Sequence, residues 1–133
     1  MNTRTLLTCA LALVTTPAIA DKDRSPEAQL AKAIAGRVAG EPVHCINQRD
    51  IRSTRVIDKT AIIYEVAGGT IYVNTPKSGA AFLRDDAILV TDTHSHQLCN
   101  IDIVKLMEPG SRMLAGGVGL GNFVPYRKVR EEK

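Results

Sequence analysis

From residue 43 onward the chain sets short β-branched and aliphatic runs between turn residues, a period-two pattern that predicts an antiparallel, strand-rich body. Val43 to Ile46, Arg52 to Ile57 and Thr60 to Val66 are the first three predicted strands, the third placing Ile62, Tyr64 and Val66 on one face. Asp58-Lys59 separates the second from the third. Gly68-Gly69 then turns the chain into Thr70 to Asn74, where Ile71 and Val73 alternate with Tyr72, the plainest hairpin signal in the sequence. Ala80 to Arg84 fits a single helical turn, Ala87 to Thr91 and Ile101 to Leu106 fit short strands, and Glu108-Pro109-Gly110-Ser111 is a turn. Met113 to Val124 is apolar but carries Gly116, Gly117, Gly119 and Gly121, which predicts a kinked strand that another element approaches closely.

Ahead of the strands lies a helical pattern. Ser25 supplies an N-cap hydroxyl, Pro26 sits where its missing N–H costs nothing, and Glu27 is acidic in the first turn. Leu30, Ile34 and Val38 then form a narrow apolar stripe until Gly40 and Pro42, so the helix is expected over about 26–39, lying on the outside of a sheet. The expected fold class is α+β: one N-terminal helix followed by a mostly antiparallel, strongly curved sheet or a partly open small β-barrel. Strand order is not readable from the pattern.

The first 20 residues change the picture of where this domain works. Arg4 gives a positive start, Leu6 to Thr16 an apolar run too short to span a bilayer, and Ala18-Ile19-Ala20 a small-residue cleavage site. This predicts a cleaved signal peptide over 1–20 and a single periplasmic or secreted domain over 21–133, with no transmembrane segment in the mature chain. Leu6-Leu7-Thr8-Cys9 loosely matches a lipidation box, but Cys9 precedes the apolar segment that such a box must follow. Of the 133 residues, 113 remain after cleavage, a size for one core. Only Arg4 among the charged residues leaves, so 16 basic side chains face 14 acidic ones. That balance is too mild for a dedicated nucleic-acid binder. Export also makes cytosolic cofactors poor candidates, and none is expected. Cleavage removes Cys9 and leaves Cys45 and Cys99, which in an oxidising compartment pair as one disulfide or, alternatively, stay as two buried thiols.

Gly119-Leu120-Gly121-Asn122-Phe123-Val124-Pro125-Tyr126, together with Gln97-Leu98-Cys99, Asp102-Ile103-Val104, Cys45-Ile46, Arg52 and Val56-Ile57-Asp58, resembles a family of small exported proteobacterial proteins of unknown function. The resemblance spans nearly all of the mature chain. It implies an exported single domain and carries no activity, ligand or catalytic residue onto any position. Members of that family often have further cysteines, and the departure here makes Cys45 with Cys99 the simplest bridge.

Four groups of residues have chemical interest. A bridge between Cys45 and Cys99 would draw His44, His94 and His96 within about 10 to 15 Å of one another, at about 3.3 Å per extended residue. His94-Ser95-His96 has a spacing that can chelate a divalent metal, and the same histidines with Asp92 or Asp102 are the most plausible acid–base set for an enzyme. The competing reading is a solvated polar loop. The glycines from Gly116 to Gly121 invite a phosphate-loop reading, but Phe123 to Tyr126 follow where a helix N-terminus is needed. No Gly-x-Ser-x-Gly and no Cys-x-x-Cys is present. Arg49, Arg52 and Arg55, and Arg127, Lys128 and Arg130, are basic clusters suited to an anionic partner, or else charged strand edges that discourage aggregation. The leading expectation is therefore a non-enzymatic exported domain that binds an unknown envelope partner or ligand through its sheet, or serves there structurally. The alternative is a divalent-metal-binding protein or a histidine-dependent enzyme.

Overall fold

The computed structural model describes residues 24–130, so the expected signal segment, its cleavage site and Cys9 lie outside the described residues. The helix α1 spans Pro26–Ile34, with the Ser25 side-chain oxygen accepting a hydrogen bond from the Ala28 N–H at 3.2 Å. It ends five residues before the expected 39. Gly36 adopts φ +69°, a left-handed turn open to glycine, and Arg37–Ala39 then runs extended as β1. Val38, expected on the apolar stripe, is instead 60% exposed. The reason is competition for the backbone: residues 37 to 39 gain ladder bonds to Tyr126–Lys128, while Leu30, Ala33 and Ile34 already cover the sheet.

Nine further strands follow: β2 Cys45–Asn47, β3 Ile51–Ile57, β4 Ala61–Val66, β5 Ile71–Asn74, β6 Ile88–Thr91, β7 Gln97–Cys99, β8 Ile103–Met107, β9 Leu114–Gly119 and β10 Phe123–Lys128. Every pairing between them is antiparallel. The fold is α+β and sheet-rich, as expected. The strands divide into a five-stranded sheet in the order β1-β10-β5-β4-β3, a three-stranded sheet β6-β8-β9 and the two-stranded ladder β2-β7, and among the described residues they close no barrel. The first expected strand is displaced: Val43 makes only a bridge to Phe123, and the ladder begins at Cys45. Gln97–Cys99, to which the sequence pattern assigns no strand, is one because Leu98 is buried and Cys99 faces Cys45.

The core has two parts, one on each face of the five-stranded sheet. Ile57, Ala61, Ile63, Ile71 and Val73 pack against Leu30, Ala33 and Ile34 of α1. Ile62, Tyr64 and Phe123 point the other way and meet Ile46, Leu98, Val104, Leu106 and Val118 from the two smaller sheets, with Leu120 just past β9. β4 is therefore buried on both faces from Ala61 to Tyr64, which explains its unbroken apolar run. The Tyr64 and Phe123 rings pack tilted, with centroids 5.8 Å apart.

Two details lock the C-terminal strands. Asn74, the buried polar residue of the core, donates to the Gly121 carbonyl at 2.7 Å and accepts from the Gly121 N–H at 3.0 Å. At Gly116 the Phe82 ring occupies the space of a side chain, its Cγ 2.6 Å from where a Cβ would stand. This is the close approach that the glycine-rich segment predicts, and β9 is a strand rather than an anion loop.

Candidate functional site

Cys45 and Cys99 are direct partners across the β2-β7 ladder and form a disulfide, with Cα atoms 4.0 Å apart. Two-stranded ladders are marginal alone, so the covalent tie and the burial of Ile46 and Leu98 hold this one in place. The bridge sets His44 and His96 on one ladder, their backbones within the expected range of about 10 to 15 Å, but at its two ends rather than in contact. The Asn100 N–H donates to the His44 carbonyl and the Gln48 N–H to the His96 carbonyl, so the register puts His44 and His96 at opposite ends of the ladder. Four residues of ladder separate those backbone positions by about 13 Å.

The His44 imidazole meets asparagines instead. Its Nδ1 lies 3.1 Å from Asn100 Nδ2 and 3.3 Å from Asn122 Oδ1, and Asn100 donates to Asn122 at 2.7 Å. His94 and His96 are exposed in the loop before β7. Among the described residues, no group of three or more His, Cys, Asp or Glu side chains is arranged to hold a metal ion. Asp102, one of the two carboxylates considered for acid–base work, accepts the Cys99 N–H at 2.7 Å and so caps the turn after β7. Asp92 is exposed at the start of the histidine loop.

The basic clusters are placed by the strands. Arg49 lies in the 3-10 turn Gln48–Asp50 rather than on a strand, so the facing it would share with Arg55 along a continuous strand does not arise. Arg52 and Arg55 lie on β3, the terminal strand of the five-stranded sheet, and the register shift between Ile51 and Ser53 falls at Arg52. Residues 52 to 55 are all exposed. Arg127, Lys128 and Arg130 line a pocket of about 280 Å³ beside the Gly68-Gly69 turn.

One concavity among the described residues is announced by no single motif. A cleft of about 670 Å³ opens between β3 and β6, lined on one side by Ile51, Thr54, Arg55 and Val56 and on the other by Ala87, Leu89 and Thr91. Leu98 and Tyr64 also line it, with Gln29, Gln48 and Asp85 adding polar groups. Its size falls in the range of about 300 to 1,000 Å³ typical of ligand sites. Tyr64 is 3% exposed, and its hydroxyl has no hydrogen-bond partner. Burial pushes the phenol well above its ordinary pKa, so the group is a neutral donor throughout the physiological range. A buried hydroxyl without a partner costs roughly 1 to 3 kcal/mol.

Sequence reading missed the cleft because its lining comes from widely separated segments, each with an ordinary composition. The readable signal was narrower: Tyr64 is a polar-tipped residue on the inner face of a strand otherwise apolar there. Compared with models of known protein families, with curated protein sequences and with solved structures, the chain matches none.

Proposed function

We propose that this protein is an exported, disulfide-stapled domain of the cell envelope that binds a ligand in the β3-β6 cleft without transforming it, in keeping with the small exported proteobacterial proteins its C-terminal motif resembles. The observation that carries the reading is an open cleft lined by Tyr64, whose hydroxyl is buried without a partner. A polar group in that condition is what a binding site leaves for its ligand to satisfy. The lining mixes aliphatic surface with hydroxyls, amides, Arg55 and Asp85, groups that orient a bound molecule by hydrogen bonding. In this reading the five- and three-stranded sheets are the walls of a partly open barrel, and the gap between them is the site. The disulfide is compatible with an extracytoplasmic location.

Isotope-labelled protein mixed with the small-molecule and peptide fractions of a bacterial envelope extract tests the binding claim. Amide shifts concentrated at residues lining the cleft, and lost in Thr54→Trp, which fills it, are the expected result; shifts scattered over other surfaces would refute it. Export is tested by the intact mass of the periplasmic protein. A chain beginning at Asp21, two hydrogens lighter than its reduced form, is expected, and a full-length mass would exclude cleavage.

A further inference from the structure

We infer that the occupant of the cleft is an extended acidic peptide segment that adds to β3 as a further strand. The inference rests on the reading of the cleft as the ligand site and specifies the ligand. β3 ends the five-stranded sheet and β6 ends the three-stranded one, and residues of both line the same cavity. A terminal strand presents backbone N–H and C=O groups with no sheet partner on its outer side, so both walls offer the pairing that an extended chain satisfies. At seven residues, β3 gives a docking edge about 23 Å long.

Charge selects which chain. Arg49, Arg52 and Arg55 are exposed on the β3 side, and among the described residues none of them forms an ion pair. Arginines along an edge repel a second copy of the same edge and favour a strand carrying carboxylates opposite them. Asp85 is the acidic residue of the lining, and its N–H donates to the Asp58 carboxylate at 2.6 Å, just past the C-terminal end of β3 and away from Arg49 and Arg52.

The test uses two blocked decapeptides, one alternating glutamate with valine and one alternating lysine with valine, titrated into labelled disulfide-bonded protein. The glutamate peptide is expected to give saturable shifts at the amides of β3 and to slow their hydrogen exchange, with affinity at least about tenfold above that of the lysine peptide. Arg52→Glu with Arg55→Glu is expected to reverse the preference, and both positions are exposed, so the fold is retained. Equal binding of the two peptides, shifts away from β3, or no saturation at millimolar peptide overturns the inference. If the peptides fail while an envelope small-molecule fraction still shifts the cleft amides, the peptide inference alone falls. If neither shifts them, the binding reading falls with it.

Discussion

Tyr64 and Asn74 are both buried polar residues, and they differ in whether the fold answers them. Asn74 has both ends of its amide engaged by the Gly121 peptide group. Asn74→Ala leaves a peptide N–H and C=O unpaired, and a loss of about 2 to 3 kcal/mol in urea unfolding is expected. Tyr64 has nothing to lose in the free protein. Tyr64→Phe is therefore expected to unfold at equal or higher urea, by up to about 1 kcal/mol, while weakening any ligand held in the cleft. The same hydroxyl sets an alkaline limit. Its folded pKa is raised above the ordinary 10.0, so the unfolded chain gives up its proton first. The stabilising contribution is complete below about pH 10 and is lost as pH rises above it, at up to about 1.4 kcal/mol per pH unit. Unfolding free energies measured from about pH 8 to 11 should diverge above about pH 10, the native protein falling below Tyr64→Phe; parallel curves would remove the claim.

At the scale of elements, the disulfide and the β3 edge carry separate predictions. The Cys45–Cys99 bridge closes a loop of about 55 residues, which on a chain-entropy account stabilises the fold by about 4 kcal/mol. Cys45→Ala with Cys99→Ala is expected to lower stability by about that amount in denaturant titration, with hydrogen exchange rising first in β2 and β7. An unchanged midpoint would show that the ladder holds without its tie. Along β3, Arg52 and Arg55 keep an exposed edge from pairing with its copies. Arg52→Val with Arg55→Val is expected to increase concentration-dependent association, measured by light scattering against the native protein. Pattern alone located most of these strands, because alternation of apolar and polar side chains follows from the pleat. It read β1 as the end of the helix and overlooked β7. Residues 37 to 39 and 97 to 99 are too short to show a period, and each is extended only because a distant partner strand pairs with it.

For the whole molecule, three layers follow from one central sheet covered by α1 on one face and by the smaller sheets on the other. Among the described residues, no helix is long and apolar enough to cross a membrane. The cleft exists because the second covering layer leaves the β3 edge unpaired, a consequence of how ten strands distribute among three ladders. By itself, the sequence determined the helix start, the β4–β5 hairpin, the glycine-kinked strand and the candidate cysteine pair, since capping, turn chemistry, side-chain alternation and residue count are local or additive properties. Tertiary structure alone decided that His44 meets Asn100 and Asn122 rather than His94 and His96, and that Tyr64 is left without a partner beside a cleft. Those outcomes depend on register and strand order, which join residues far apart in the chain and leave no trace in any short stretch of it.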